Sequence, residues 1–197
     1  MKRFLLLVCI AVLVRPSAAQ VKQQPVRILI AYYSQTGNTE KMAQAVRDGA
    51  KSIEGVQVTL QKMADVKDAT IPTYDGFVVG TPVHWANLAA ETKRFLDRLG
   101  AALWTAKTNG DGRSAGVFCT GGSVSSGKEM ARLSMISSLL AMRFIIIGGV
   151  DADSFGTLGP QATTGAADPG VSDKELEEAR HFGERFARFT RQIRLSR

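Results

Sequence analysis

The sequence predicts one α/β domain in which a doubly wound sheet of five parallel strands lies between two layers of helices. Short apolar runs alternate with longer segments of helical periodicity along most of the chain, and strands that are joined through helices pair in parallel. The length of 197 residues suits one such domain. With 45% apolar and 22% charged residues, the composition excludes disordered and fibrous proteins.

The first nineteen residues have the pattern of a signal peptide. A basic start at residues 1–3 precedes an apolar run over 4–14 and small residues at 17–19. We predict cleavage after Ala19 and export to the periplasm or the exterior, with residues 20–25 as a linker and residues 26–194 as the domain. The apolar run is shorter than the roughly 20 residues that span a bilayer, so no stable membrane insertion is expected after cleavage. An uncleaved N-terminal membrane anchor is the alternative.

The mature chain is predicted to be mildly basic. Removal of Lys2, Arg3 and Arg15 leaves 22 of the 25 basic residues against 18 acidic ones, a net charge of +4. Much of this excess falls in the C-terminal segment, where a solvated helical face is favoured over a nucleic-acid stripe, so we expect no nucleic-acid partner. Of the two cysteines, Cys119 remains after cleavage, and an intrachain disulfide is therefore impossible.

The first half of the domain alternates strands with helices. Residues 26–33 are apolar and β-branched, as in a central strand that is buried on both faces. Apolar residues then recur at helical spacing over 39–53, and Gly55 follows as a stop. Residues 57–61 alternate as a second strand and residues 76–80 form a short buried third, with a link between them that is too short for a full helix. A helix over 89–99 is predicted to end at Gly100.

The second half continues the alternation and ends in a long helix. We predict a strand over 115–119, a helix over 128–141 and a fifth strand over 143–147. Residues 148–171 contain no periodic element, which in a compact domain marks a functional loop. Ser172 and Glu175 form the Ser-x-x-Glu pattern of a capping box, which opens a helix through about Arg191. In such a sheet the ligand site lies beyond the carboxyl ends of the strands.

The strongest functional signal is the loop between the first strand and its helix. Hydroxyl residues, side-chain amides and a glycine occupy its consecutive positions, which are Ser34, Gln35, Thr36, Gly37, Asn38 and Thr39. A helix start offers unpaired N–H groups and a partial positive charge, the hydroxyls add donors, and glycine permits a turn closed to larger residues. We therefore predict a phosphate-binding loop. An ordinary helix cap on a surface turn is the alternative, although a cap needs only one Ser or Thr.

Two common nucleotide motifs are excluded at this loop. It contains no lysine, which the Walker loop needs, and no Gly-x-Gly-x-x-Gly pattern of a dinucleotide site. The sequence resembles instead the flavodoxin superfamily, whose Ser/Thr-x-Thr-Gly-Asn-Thr loop wraps the phosphate of FMN. This resemblance implies a flavodoxin-like fold over about residues 26–190 and FMN as the cofactor.

Two further segments agree with the resemblance. Residues 80–87 with 93–98, and residues 118–122 with 127–129, are similar to flavin loops in the branch that contains the WrbA-type NAD(P)H:quinone oxidoreductases. The resemblance implies that the first loop lines one side of the isoalloxazine ring and that the second cradles its polar edge. The residues concerned are Thr81, Pro82, Val83, His84 and Trp85 in the first loop, and Cys119, Thr120, Gly121 and Gly122 in the second.

Several of these residues have a second interpretation. Trp85 either stacks on the ring, which contributes about 0.5–1.5 kcal/mol beyond burial, or is a core aromatic at a strand end. His84 is either the catalytic group that protonates a reduced quinone or a histidine that shapes the pocket. Residues 120–122 alone fit a plain turn equally well, and Cys119 is expected to be structural rather than nucleophilic. The histidines lack the spaced partners of a metal site, so no metal is expected.

The chain departs from the WrbA-type pattern at three places. Ala141 and Met142 stand where a histidine pair is expected, residues 159–164 lack the tyrosine of a Pro-Tyr-Gly-Ala-Thr-Thr stretch, and the link over 63–74 is shorter. These losses weaken quinone reduction as an implied activity and leave the phosphate loop intact.

Three functions are compatible with these residues. The leading hypothesis is an FMN-dependent enzyme that passes hydride from NADH or NADPH to a quinone or similar acceptor, with His84 as the catalytic residue. A homodimer or homotetramer is expected from the same resemblance. The second is a flavodoxin-type carrier of single electrons, although such carriers dock through acidic faces and the net charge here is positive. The third is an FMN-binding protein without turnover.

Overall fold

The computed structural model describes residues 24–150 and 157–197, so the predicted signal peptide lies outside the described residues. Strands and helices alternate along this part of the chain. The strands are β1 (Val26–Tyr32), β2 (Val56–Lys62), β3 (Gly76–His84), β4 (Asn87–Leu88), β5 (Ser114–Gly121), β6 (Ile145–Ile146) and β7 (Gln161–Thr163). The helices are α1 (Asn38–Lys51), α2 (Ala90–Thr105), α3 (Lys128–Ala141) and α4 (Asp173–Leu195), and two 3₁₀ segments, Met63–Asp65 and Asp68–Thr73, fill the short link after β2.

The sheet confirms the predicted doubly wound architecture. Its main strands are parallel in the order β2-β1-β3-β5-β6, and β7 also pairs in parallel with β5. Strand β6 pairs with the first residues of β5 at Ser114 and Ala115, whereas β7 pairs with the last ones from Cys119 to Gly121. The fifth position of the sheet is therefore shared by two short strands. Strand β4 folds back antiparallel on the end of β3.

Helices cover both faces of the sheet. Helices α1 and α4 pack on one face around Val46, Phe182 and Phe186, and α2 and α3 pack on the other around Phe95 and Met135. Burial of each such side chain contributes about 1.5–3 kcal/mol. These two apolar layers explain why the strands read as continuous apolar runs.

Helices α1 and α4 approach each other closely because each has a glycine at the contact. A Cβ on Gly49 would clash with the carbonyl group of Arg180, and a Cβ on Gly183 would clash with that of Val46. Backbone therefore packs directly on backbone, which fixes the second half of α1 against α4.

Three predicted boundaries were wrong for identifiable reasons. Helix α2 continues past Gly100 to Thr105 because Leu103 extends its buried stripe, and burying a leucine outweighs the cost of about 1 kcal/mol for a glycine within a helix. The predicted fifth strand shrinks to Ile145–Ile146 because Arg143, with φ 72°, still belongs to the turn after α3. Strand β7 lies in the segment that is expected to be a loop.

The last helix begins as the sequence predicts. Ser172 Oγ accepts a hydrogen bond from Glu175 N at 3.4 Å, and the Glu175 carboxylate accepts one from Ser172 N at 2.9 Å, so the capping box is formed. The helix runs to Leu195, slightly beyond the predicted end. No helix within the described ranges is long and apolar enough to cross a membrane.

Candidate cofactor site

A cleft of about 300 Å³ opens at the carboxyl ends of the central strands. The phosphate loop, the loop after β3 and the loop after β5 meet there, together with the segment that follows β7. The lining residues are Gln35, Thr36, Asn38, Thr39, Pro82, Val83, His84, Thr120, Gly121, Gly122, Thr164, Gly165 and Asp168. The structure thus brings together most of the residues that the sequence selects.

The start of α1 presents unpaired backbone donors. Gly37 precedes the helix in the left-handed conformation, with φ 93°, and no side chain caps the helix start. Lys41 N donates to Gly37 O at 3.0 Å, which is the first bond of the helical ladder. The N–H groups of Asn38, Thr39 and Glu40 precede that bond and have no partner within the helix. Together with the partial positive charge of the helix end, they form an anion site.

The polar side chains of the loop bond mostly to one another. Ser34 Oγ accepts a hydrogen bond from Gly37 N at 3.2 Å and so shapes the turn. Asn38 Nδ2 donates to Thr36 Oγ1 at 3.0 Å and to Asp168 Oδ1 at 2.6 Å. Asp168 therefore holds a carboxylate beside the predicted phosphate site, and an anion that enters the loop competes with this carboxylate for Asn38.

A buried hydrogen bond joins two of the loops. Thr39 Oγ1 and Thr120 Oγ1 lie 2.8 Å apart, and both residues are almost fully buried. The hydroxyl of Thr39 thus ties the phosphate loop to the loop after β5. The hydroxyl of Thr36 lies on an exposed residue of the cleft lining.

Trp85 projects from a strained turn next to the cleft. Trp85 and Ala86 connect β3 to β4 and have φ values of 48° and 64°. A two-residue hairpin with both positions left-handed normally uses Asn-Gly, because other residues are strained there. Trp85 is fully exposed, which excludes a core aromatic. The Ala86 backbone packs against Gly127, where a Cβ would clash with it, so the turn is fixed against the start of α3.

Two predicted cofactor contacts do not reach the cleft. Thr81 is fully buried, and its Oγ1 accepts hydrogen bonds from Ala89 N at 3.1 Å and Thr92 Oγ1 at 2.8 Å. Cys119 is also fully buried and donates through Sγ to Lys128 O at 3.6 Å. Burial raises the pKa of the Cys119 thiol to about 12. Both side chains are held inside the domain and are not among the residues that line the cleft.

His84 lines the cleft at the end of β3. Its ring meets that of Tyr33 edge-on, with the centroids 6.0 Å apart and the planes at 87°. The side chain is half-buried. This position suits both sequence interpretations, because a fixed imidazole at the rim can shape the pocket or hold a proton close to a ligand.

The sequence interpretation marked residues 148–171 as a functional loop, but it missed strand β7 within that segment and the two cations that hold the strand. Lys128 and Arg132 are almost fully buried. Lys128 Nζ bonds to Thr163 Oγ1, and Arg132 donates to Gly159 O at 2.6 Å and to Gln161 Oε1 at 2.8 Å. These contacts fasten β7 to α3, and the next residue, Thr164, lines the cleft. The signal available in the sequence was a lysine and an arginine four residues apart, on one helix face.

Comparisons with known proteins agree with this geometry. The flavodoxin family model matches residues 30–183. A flavodoxin from Aquifex aeolicus is 32% identical over 165 residues, which cover 82% of this chain and 85% of the relative. A flavodoxin from Clostridium saccharobutylicum is 29% identical over 168 residues, with 85% and 99% covered.

Solved structures share the same fold. A flavodoxin from the domain Archaea matches with a TM-score of 0.65 at 20% identity, covering 84% of this chain and 99% of the other. A WrbA-like flavodoxin from Agrobacterium tumefaciens matches with a TM-score of 0.66 at 24% identity, covering 85% and 98%. The predicted flavodoxin-like fold is thereby confirmed. The chain belongs to the flavodoxin family, a family of FMN-binding electron carriers.

Proposed function

We propose that this protein binds FMN in the cleft and carries single electrons between redox partners. The observation that supports this most directly is the uncapped start of α1, where three backbone N–H groups have no partner within the helix and Thr36 lines the adjacent cleft. The carrier replaces the quinone reductase as the favoured hypothesis. The relatives given above from Aquifex and Clostridium are both named flavodoxin, and the chain lacks the histidine pair and tyrosine of the WrbA-type pattern.

The residues present fit FMN. A Cβ on Gly122 would meet no atom within 4 Å, so the loop after β5 leaves open space beside the cleft. Within the described ranges, Ser126 Oγ is the buried side-chain polar atom that lacks a hydrogen-bond partner, and it lies against Gly121. A buried hydroxyl without a partner costs free energy, and a polar ligand edge at this loop would satisfy it.

Each loop has a separate role in holding the cofactor. The start of α1 and Thr36 bind the phosphate, and the loop after β5 contacts the polar edge of the ring. His84 and Trp85 cover one face of the ring. FMN supplies redox chemistry, because its ring accepts and releases electrons singly or in pairs. The protein orients the ring and keeps water from part of it.

Quinone reduction is the second candidate, and one observation favours it. His84 is fixed against Tyr33 on the cleft wall, where its imidazole can deliver a proton to a reduced acceptor. Export of the chain would oppose this function, because nicotinamide coenzymes are cytoplasmic. A protein partner would then supply the electrons.

Titration of the purified chain with FMN and with riboflavin tests cofactor binding. We expect FMN to bind with a micromolar or lower Kd and riboflavin to bind more weakly, because the phosphate contacts are missing. Thr36→Ala should lower the affinity for FMN and leave the affinity for riboflavin unchanged. A chain that takes up neither flavin, or that binds both equally with and without Thr36, would overturn the proposal.

Reduction of the FMN-loaded protein separates the carrier from the enzyme. A carrier should take up two electrons in distinct steps during a potentiometric titration and should react slowly with NADH and NADPH. Fast bleaching by a nicotinamide, followed by quinone turnover that His84→Asn lowers, would establish the reductase and exclude the carrier.

A further inference from the structure

The end of the domain opposite the cleft collects basic side chains and an exposed tryptophan. We call this end the basal face and define it by Lys51, Trp104, Lys107, Arg113, Arg143, Arg191, Arg194 and Arg197. These residues lie at the amino ends of the strands and the carboxyl ends of the helices. The cofactor cleft lies at the other end of the same strands, so the basal face plays no part in the proposed function.

Contacts between neighbouring segments show that the basal face is continuous. Arg191 lies beside Gly55, whose carbonyl accepts a hydrogen bond from Val26 N at 2.9 Å at the start of β1. The Arg197 guanidinium lies against Gly112. Burial of Arg113 lowers the pKa of its guanidinium, and the positive charge of Arg197 lowers it further. Basic side chains from α4 and from the loop before β5 thus share one surface.

A groove of about 860 Å³ continues this surface between the ends of α2 and α3. Trp104, which is 85% exposed, and Leu103 line it together with Met142. Lys107 and Arg143 lie at its edge. An amphipathic aromatic ring that is exposed beside cations is the side-chain combination that proteins use at the interface of a bilayer.

The two edge cations occupy unusual backbone positions. Lys107 has φ 53° and Arg143 has φ 72°, each in the turn that ends its helix. Glycine is the common residue at such a position because L side chains are strained there. A cation therefore stands at both of these helix ends, and both line the same groove as Trp104.

Carboxylates neutralise only part of the basal face. Asp111 accepts from Arg143 at 2.7 Å, and Asp75 pairs with Arg194 at 3.0 Å. Within the described ranges neither Lys107 nor Arg191 makes an ion pair. Unpaired cations remain for an anionic partner.

We propose that the basal face binds the surface of an anionic lipid bilayer. Lys107 and Arg191 contact lipid phosphates, and Trp104 enters the headgroup region beside the groove. Where the apolar run over residues 4–14 is kept as an anchor, it supports this partner, because the chain leads from it into β1, which starts at this same end. An apolar segment and a basic, aromatic surface on one side are two signals for the same membrane. The cofactor cleft then faces away from the lipid.

The two tryptophans of the chain provide the test, because they lie at opposite ends. Trp85→Phe leaves Trp104 as the reporter, and Trp104→Phe leaves Trp85. Each full-length, FMN-loaded variant is mixed with vesicles of phosphatidylcholine, alone or with phosphatidylglycerol, that contain brominated acyl chains. We expect lipid quenching and a blue shift of Trp104 with the anionic vesicles, and no lipid-dependent change of Trp85.

Charge variants of the Trp85→Phe protein, in which Trp104 is the reporter, test whether the cations recognise the anionic lipid. Lys107→Gln with Arg191→Gln should shift the equilibrium away from the docked domain about fivefold for each charge removed. Lys174→Gln is the matched control, since it removes one charge from the other end of α4 and should change nothing. If the chain binds the vesicles but the lipid does not quench Trp104, the proposal is contradicted, because the apolar N-terminal segment alone then accounts for the binding.

Two other results would also overturn it. Equal quenching of Trp104 in neutral and anionic vesicles would remove the role of charge. If vesicles left Trp104 exposed but a concentration-dependent dimer shielded it, the partner would be a second copy of the chain. If duplex DNA shielded it instead, the partner would be nucleic acid.

Discussion

Thr39 and Thr120 share a buried hydrogen bond of 2.8 Å between their hydroxyl groups. Thr39 is the second residue of α1 and Thr120 lies one residue before the end of β5. The bond therefore fixes the start of α1, next to the predicted phosphate loop, against the end of β5. The two threonines are 81 residues apart in sequence. One of the two hydroxyls uses its hydrogen in this bond, so only the other keeps a hydrogen that it can donate to a further partner.

Removal of the Thr39 hydroxyl should therefore reduce stability more than it reduces phosphate binding. Thr39→Val leaves Thr120 buried without a partner, which costs about 1–3 kcal/mol in the free energy of unfolding. Urea unfolding of the cofactor-free chain measures this loss. Thr39→Val with Thr120→Val should recover part of it, because both polar groups are then removed.

Thr36→Ala is the matched comparison, because Thr36 is exposed in the same loop. We expect a change in unfolding free energy below about 0.5 kcal/mol. The affinity for FMN should fall tenfold or more, since a hydrogen bond to a charged group contributes about 1.5–3 kcal/mol. If Thr39→Val lowered only FMN affinity and Thr36→Ala lowered only stability, the assignment of the two hydroxyls would be reversed.

The sequence predicted the turn and helix start between β1 and α1 well because local chemistry alone specifies them. Gly37 needs a left-handed backbone, and the hydroxyls and amides around it follow one strand and open one helix. The same locality explains the accurate limits of α3 and the capping box of Ser172 and Glu175. In these cases a few neighbouring residues decide the structure.

The rest of the site depends on contacts that are distant in sequence. Strand β7 is too short and polar to be recognised, and it is held by Arg132 through Gly159 and Gln161. The partners of Thr81 were missed for a similar reason, because its hydroxyl accepts from Ala89 N and Thr92 Oγ1, which lie in the following segment. Periodicity does not reveal such partners.

Neutralisation of Asp168 should strengthen FMN binding. Its carboxylate accepts from Asn38 at 2.6 Å beside the phosphate loop and is the charged group among the residues that line the cleft. Asp168→Asn keeps an oxygen for Asn38 and tolerates the φ of 46°. The FMN affinity should rise about fivefold, because two like charges 4 Å apart repel by about 1 kcal/mol in water.

Riboflavin and a distant carboxylate provide the controls for Asp168. Riboflavin carries no phosphate, so its affinity should not change. Asp48→Asn removes the same charge from the exposed surface of α1 and should leave both affinities unaltered. Equal gains for FMN and riboflavin would show that Asp168 acts on the ring or on loop closure.

Trp85→Ala should lower the affinity for FMN without destabilising the fold. The side chain is fully exposed, so its removal takes away no packing in the cofactor-free domain. Stacking on a planar ring contributes about 0.5–1.5 kcal/mol beyond burial, and we expect FMN affinity to fall by a similar amount or more. Thermal unfolding and FMN titration of Trp85→Ala and Trp104→Ala measure both effects. A loss of FMN affinity in Trp104→Ala of the same size would show that neither effect is local.

Stability should fall at alkaline pH because Cys119 keeps its proton in the folded state. Burial raises its thiol pKa from 9.0 to about 12, so the unfolded chain loses the proton first. The stabilisation is complete below pH 9 and is lost as pH rises towards 12, with a slope of about 1.4 kcal/mol per pH unit from this one group. Burial and the neighbouring Glu40 also raise the pKa of Tyr32, which adds a loss of stability of the same sign at higher pH.

Urea unfolding between pH 8.5 and 10 tests this expectation. The free energy of unfolding should fall more steeply with pH for the native chain than for Cys119→Ala, although that substitution lowers stability at every pH by removing a buried side chain. Parallel curves for the two proteins would mean that the thiolate is accommodated in the folded domain and that Cys119 is more accessible than its burial indicates.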